Sequence, residues 1–189
     1  MRVISGEKKG MRLFSTKDKN TRPTEDRIKE ALFNILTDID DNSMVLDLFA
    51  GTGSVGIEFL SRGAKFAVFS EKSKTNIKCI RDNLNHTNYT KKSKIYFGDY
   101  VDNLKNIAKD FTGFDYIFID PPYDEAKMYY NSLNLIYRLK LLNFEGIIIL
   151  ESNIELDLKK YNIIKEKKYG KKLIYFIDLG VNYENNISR

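Results

Sequence analysis

The 189-residue chain has few of the residues on which metal and redox sites depend. It contains one cysteine, Cys79, one histidine, His86, and no tryptophan. A single cysteine excludes an intramolecular disulfide, and these two residues cannot by themselves supply the three or four ligands of a Cys/His metal site. We therefore expect a protein that binds no metal.

The chain also lacks the apolar segments that mark membrane and exported proteins. Its longest apolar run, at residues 147–150, is far shorter than the roughly 20 residues that cross a bilayer. Residues 1–6 show no apolar region of a signal peptide. These absences predict a cytoplasmic protein without a membrane partner. The length suits one α/β domain and is too short for a cofactor domain plus a separate substrate domain.

A glycine-rich turn follows the most clearly buried strand of the sequence. Residues 45–49 are almost wholly apolar and read as a strand covered on both faces. Gly51 and Gly53 then allow a tight turn that can approach a ligand, and a helix begins near Val55. A strand, a glycine turn and a helix N-terminus together indicate a site for a nucleotide-type cofactor.

Two cofactor classes fit this turn. Gly51-x-Gly53-x-x-Gly56 is a formal dinucleotide fingerprint, and Glu71 follows at the distance of a ribose-binding acid. Asp47, just before the turn, would repel a pyrophosphate but can accept hydrogen bonds from an ammonium group. S-adenosylmethionine (SAM) carries an ammonium and a sulfonium and no phosphate, so Asp47 favours SAM. The alternative is that Asp47 only ties down a neighbouring loop.

Strand and helix patterns alternate five times before a terminal hairpin. The short connection at residues 169–172 requires that residues 161–167 and 173–179 pair in antiparallel fashion. The pattern predicts an α/β fold, a Rossmann-like doubly wound sheet that is mostly parallel with one antiparallel strand from the C-terminal hairpin. Four acids end predicted strands, where such sheets bind ligands: Asp47, Glu71, Asp99 and Asp120. Any one of them could instead be a helix cap.

A further feature of the sequence is its basic N-terminal segment. Residues 3–4 and 11–14, joined by a basic turn, predict a β-hairpin that extends from the domain as an arm. The net charge of +5 and pI near 9.0 suit a polyanionic partner. A lysine-rich solvated surface would account for the same charges.

The segment Asp120-Pro121-Pro122-Tyr123 contains two of the three prolines of the chain. Consecutive prolines fix the backbone and remove two N–H donors. The Asp120 carboxylate and the Pro121 carbonyl could accept the two N–H groups of an exocyclic nucleobase amine and direct its lone pair at a methyl group. Tyr123 could stack on an extruded base. The alternative is a proline-rich turn with Tyr123 packed on the core.

Together with Arg2-Val3-Ile4-Ser5-Gly6, Arg22-Pro23-Thr24 and Glu30-Ala31-Leu32-Phe33-Asn34, these motifs are similar to those of the RsmD family of bacterial small-subunit (16S) rRNA guanine-N2 methyltransferases. The resemblance covers nearly the full length. It implies a class I SAM-dependent fold and methyl transfer to the N2 amine of a guanine in 16S rRNA, with S-adenosylhomocysteine as product. It further implies that a monomer acts on the small ribosomal subunit or its assembly intermediate.

The resemblance also assigns roles to individual residues. Asp47 and residues 50–53 would hold the methionine part, Glu71 the ribose hydroxyls, and Asp99 with Tyr100 the adenine. Arg22 and Thr24 would lie near the methionine carboxylate. The complete expected set for the cofactor is Arg22, Thr24, Asp47, Phe49, Ala50, Gly51, Thr52, Gly53, Glu71, Lys72, Asp99, Tyr100 and Asp120, and the catalytic set is Asp120, Pro121, Pro122 and Tyr123. Ser70 departs from the family, which more often has an apolar residue there.

Two other functions share parts of this pattern. An adenine-N6 methyltransferase acting on RNA or DNA uses the same Asp-Pro-Pro-Tyr chemistry, although the short chain leaves no room for a DNA-recognition domain. An RNA-binding or ribosome-assembly module could keep the fold without catalysis. We divide the chain into a basic hairpin arm, residues 1–21, and a methyltransferase domain, residues 22–189.

Overall fold

The structure is a computed structural model that describes residues 1–16, 23–36, 38–122 and 125–178. Helices and strands alternate along the chain, in agreement with the predicted order. The elements are α1 (Pro23–Leu36), β1 (Met44–Asp47), α2 (Ser54–Ser61), β2 (Phe66–Glu71), α3 (Lys74–Thr87), a short 3-10 turn (Thr90–Lys92), β3 (Ser93–Phe97), α4 (Tyr100–Asp110), β4 (Phe114–Ile119), α5 (Ala126–Arg138), β5 (Leu142–Ser152), β6 (Asn162–Tyr169) and β7 (Lys172–Asp178). None of the helices in these ranges has the length and apolar character needed to cross a membrane.

The seven strands form one sheet in the order β3-β2-β1-β4-β5-β7-β6. Strands β1 to β5 are parallel to one another, whereas β7 lies between β5 and β6 and is antiparallel to both. This confirms the predicted doubly wound sheet with one reversed strand. The order changes direction between β1 and β4, and the loops after these two strands leave a crevice there for a ligand.

The sheet is covered on both faces because successive strand residues point to opposite sides. In β1, Val45 packs into a cluster with helices α1, α2 and α3, and its neighbour Leu46 packs into a second cluster with α4 and α5. Both side chains are fully buried. This two-sided burial explains why the central strands are continuous apolar runs.

The N-terminal hairpin forms, but it does not extend from the domain. Arg2 and Arg12 make an antiparallel bridge, while Val3 and Leu13 are buried against the core, at 1% and 7% exposure. The backbone N–H groups of Ile4 and Ser5 donate to the Glu58 carboxylate of α2, at 2.8 and 2.9 Å. The prediction of an extended arm is therefore wrong. The apolar side chains of the hairpin are buried against the domain, and its backbone N–H groups that lack a strand partner find hydrogen-bond acceptors there. The boundary drawn at residue 21 falls outside the described residues.

The basic turn of this hairpin lies far from the carboxyl edge of the sheet. Glu7 N donates to Ser61 O at 2.7 Å, and Lys8 N donates to Ser61 Oγ at 3.0 Å. Ser61 is the last residue of α2, whose 8 residues span about 12 Å. The turn is thus one helix length away from the glycine-rich loop at the start of α2.

Candidate active site

Three of the four predicted acids come together at the carboxyl ends of β1, β2 and β4. Asp47 is 1% exposed, and its pKa is raised to about 7, first by burial and further by the negative charges of Asp120 and Glu71. A hydrogen bond from Gly56 N at 3.0 Å acts in the opposite direction. Two further carboxylates therefore lie close enough to act on Asp47 before any ligand binds.

Each of the three glycines that follow β1 is required for a different physical reason. Gly51 and Gly53 have φ values of 54° and 80°, in the left-handed region that favours glycine. Gly56 has an ordinary φ, but a Cβ atom there would lie 2.4 Å from the Phe69 ring. Its missing side chain lets α2 pack directly on β2 and brings its N–H to the Asp47 carboxylate.

Glu71 ties two loops together at the end of β2. Its Oε2 accepts a hydrogen bond from Gly51 N, and its Oε1 accepts from Lys72 N and Ser73 N, each at 2.8 Å. The carboxylate is thus already held by three backbone donors. Its contact with ribose hydroxyls stays a prediction.

Asp99 caps helix α4, since its Oδ1 accepts a hydrogen bond from Val101 N at 2.9 Å. The next residue, Tyr100, places its ring 5.2 Å from the ring of Phe49, centre to centre. Cap and aromatic pair lie side by side on the wall of the same cavity. The helix-cap alternative thus applies to Asp99, and a cap carboxylate can still face a ligand.

Asn103 is a positioning residue that sequence reasoning missed. Its Nδ2 donates to Gly98 O at 3.1 Å, which holds the turn before Asp99, and to Ser70 Oγ at 2.9 Å. The unusual Ser70 is buried and serves as an acceptor for this amide. An apolar residue at position 70 would lose that hydrogen bond, so Ser70 and Asn103 belong together.

The crevice has two lobes that meet at Phe49, Gly51 and Asp120. The first, which we call the β2–β3 lobe, has a volume of about 360 Å³ and is lined by the ends of β2 and β3. The second, the α1 lobe, has a volume of about 260 Å³ and lies between α1, the glycine loop and the ends of β5 and β7. Predicted residues on the β2–β3 lobe are Glu71, Lys72, Asp99, Tyr100 and Pro122, and those on the α1 lobe are Asp47, Ala50 and Thr52. Gly53 and the buried Pro121 line neither lobe.

Three predicted residues cannot be placed. Arg22 and Tyr123 lie outside the described residues, and the side chain of Thr24 does as well, although its backbone belongs to α1. Their roles stay predictions. Within the described ranges, no group of three or more histidine, cysteine, aspartate or glutamate side chains is arranged to hold a metal ion.

A buried ion pair behind the α1 lobe was also missed. The Lys29 side chain is 5% exposed and that of Glu58 is fully buried, with Lys29 Nζ 3.4 Å from Glu58 Oε2. Burial lowers the pKa of Lys29, while the Glu58 charge opposes this. Lys29 also donates to Arg2 O at 2.7 Å and lines the lobe. The available signal was a lysine on the apolar face of α1, three residues before Leu32.

A second ion pair lies on the opposite wall of the α1 lobe. Glu151, near the end of β5, pairs with Lys172, the first residue of β7, and both line the lobe. Nothing local in the sequence links them, because they meet only when β7 inserts beside β5.

A doubly wound sheet with one reversed strand, a glycine-rich turn beside a strand-end acid, and Asp-Pro-Pro after β4 define a class I SAM-dependent methyltransferase. The family model described as "Conserved hypothetical protein 95" matches residues 1–178. YlbH of Bacillus subtilis, named as an rRNA methyltransferase, is 41% identical over 158 residues, which are 84% of this chain and 85% of YlbH. The chain belongs to this family, the RsmD family of rRNA methyltransferases.

Two further comparisons agree with this family. The ribosomal RNA small subunit methyltransferase D of Haemophilus influenzae is 32% identical over 174 residues, covering 90% of this chain and 89% of that protein. The solved structure of the methyltransferase yhhF from Escherichia coli superposes with a TM-score of 0.78 at 26% identity, covering 94% of this chain and 96% of that one. The likeness thus includes the sheet and both helical layers.

Proposed function

We propose that this protein transfers a methyl group from SAM to the N2 amine of a guanine in small-subunit rRNA. The observation that carries the proposal is the place of Asp120, which lines both lobes of the crevice. A residue at that junction can contact the target amine beside the methyl group of a cofactor that extends from the β2–β3 lobe into the α1 lobe. The relatives named as rRNA methyltransferases support an rRNA substrate.

The β2–β3 lobe fits the adenosine part of SAM. Phe49 and Tyr100 offer aromatic faces to the adenine, and the Asp99 carboxylate beside them can accept from its exocyclic amine. Glu71 would reach the ribose hydroxyls, with its backbone hydrogen bonds fixing its orientation. A dinucleotide fits poorly, because its pyrophosphate would meet three carboxylates at the glycine loop.

The glycine loop and Asp47 would hold the methionine end. Ala50, Gly51 and Thr52 line the α1 lobe. Asp47 lines it as well, so its carboxylate is available to an ammonium group. The bound cofactor supplies an electrophilic methyl group. As the amine nitrogen forms its bond to that methyl and the carbon–sulfur bond breaks, the nitrogen becomes positive and releases a proton. Asp120 stabilises this charge and can accept that proton.

The raised pKa of Asp47 makes SAM binding depend on pH. Since the ammonium group requires the ionised carboxylate, we expect the dissociation constant to rise about tenfold per pH unit below about pH 7, with up to one proton released per SAM bound. Titration calorimetry in two buffers of different ionisation enthalpy measures that proton. The Asp47→Asn variant is the control, because it removes the titrating group. Equal pH dependence in both proteins would contradict the role.

The sign of the accompanying stability change also follows. The folded protein holds the Asp47 proton more tightly than the unfolded chain does, so protonation favours folding. The free energy of unfolding of the ligand-free protein should fall as pH rises from the ordinary carboxyl range toward about 7, and SAM should offset that loss above it. Denaturation with and without SAM at pH 5 and 8 measures both effects.

The proposed reaction is tested on its own substrate. The purified protein is incubated with methyl-labelled SAM and small ribosomal subunits from a strain that lacks the gene, and the RNA is digested to nucleosides. We expect label in N2-methylguanosine. Label in N6-methyladenosine would assign the adenine-N6 reaction instead, and no label in subunits, assembly intermediates or free rRNA would leave only an RNA-binding module. We further propose that the enzyme acts as a cytoplasmic monomer, which light scattering and cell fractionation would check.

A further inference from the structure

The C-terminal hairpin carries a row of lysines on the α1 side of the sheet. Lys165 is paired with Phe176 and Lys167 with Ile174. Directly paired residues of antiparallel strands point to the same face. Phe176 and Ile174 pack in the cluster that contains α1, so both lysines lie on that face, and both are exposed.

The opposite face of the same strand has a different charge. Glu166 is paired with Tyr175 and Lys168 with Leu173, and these partners pack on the α5 side. One acid and one base therefore stand on that face, whereas the α1 face of this stretch has two bases and no acid. Lysines that only protect an edge strand from aggregation can serve on either face. Edge protection therefore does not explain why the α1 face of this stretch has bases and no acid.

The lysine row leads to the crevice. Tyr169 is next on the α1 face and is paired with Lys172, which lines the α1 lobe together with Asp120. Side chains on one face of a strand recur about every 7 Å, so Lys165 lies about 14 Å from Tyr169 along the strand. The α1 face thus carries two exposed lysines on the edge strand and continues through Tyr169 to the Lys172–Glu151 ion pair beside Asp120, where the target amine would bind.

We propose that the exposed lysines of this face, Lys165 and Lys167, bind the phosphate backbone of the rRNA beside the target guanine. The inference rests on the proposed function for RNA as the substrate. Lysine contacts to phosphates hold a nucleic acid in place without reading its sequence.

The test compares two double variants with the same change in net charge. The first, Lys165→Gln with Lys167→Gln, removes the row. The matched control, Lys168→Gln with Lys109→Gln, removes one exposed lysine from the opposite face of β6 and one from the last turn of α4. Both are measured for SAM affinity, for kcat and KM with rRNA, and for RNA affinity between 50 and 200 mM salt.

We expect the first variant to raise the KM for RNA roughly tenfold and to reduce the salt slope of binding by about 1.4, the value for two contacts to a single strand. Its kcat at saturating RNA and its SAM affinity should equal the parent's. The control should stay within about twofold of the parent. Equal losses in both variants, or no loss in the first, would overturn the surface. A parent enzyme that methylates no RNA would instead overturn the proposed function.

Discussion

Replacing Asp120 with asparagine is expected to lower the single-turnover methylation rate about 100-fold to 1,000-fold at saturating SAM and RNA. Asparagine keeps the size and one acceptor, but it removes the charge that stabilises the developing positive nitrogen and turns a donor toward the amine. The loss therefore falls on the transition state more than on binding. Rapid-quench measurement of methyl transfer to rRNA gives the rate directly.

The same variant should bind SAM within a few-fold of the parent's affinity near pH 7. The Asp120 charge helps to raise the pKa of Asp47, so its removal leaves more Asp47 ionised for the ammonium group, which offsets the loss of one carboxylate beside the cationic cofactor. The matched control is Asp102→Asn on α4, where the carboxylate is 76% exposed and lines neither lobe. A folded Asp120→Asn enzyme with a rate near that of the parent would show that this carboxylate does not accept a hydrogen bond or a proton from the target amine.

The second large effect is on stability. Replacing Glu58 with glutamine is expected to lower the free energy of unfolding by about 3–5 kcal/mol, because it leaves the buried Lys29 charge without its partner. The carboxylate also accepts from Arg62 Nε at 2.9 Å and from the backbone of Ile4 and Ser5. Urea denaturation of both proteins measures the difference.

Hydrogen exchange would show where this stability is lost. We expect the amides of Ile4 and Ser5 to lose protection first, since the hairpin depends on the Glu58 carboxylate for its attachment. Glu166→Gln, an exposed acid on β6, is a control that should change stability by less than about 0.5 kcal/mol. A loss below about 1 kcal/mol in Glu58→Gln would contradict the stabilising role of the buried Lys29–Glu58 ion pair.

Much of the fold and site was predictable because the signals are local. Apolar runs and helical periodicity identify strands and helices within short windows. The left-handed φ values of Gly51 and Gly53 and the strand-end positions of Asp47, Glu71, Asp99 and Asp120 follow from neighbouring residues. The reversed C-terminal strand was also foreseen, because a connection as short as residues 169–172 permits only an antiparallel pair.

The tertiary structure decided features that depend on residues far apart in the chain. Glu58 meets the backbone of Ile4 across 54 positions, and the α1 lobe closes only when β7 inserts between β5 and β6. No local pattern predicts such contacts, because burial depends on which surfaces meet. The sequence alone thus determined that a carboxylate stands beside a glycine turn at the end of β1. Its burial and its two acidic neighbours, which raise its pKa to about 7, are properties of the folded protein, because desolvation and charge repulsion arise only when the strands assemble.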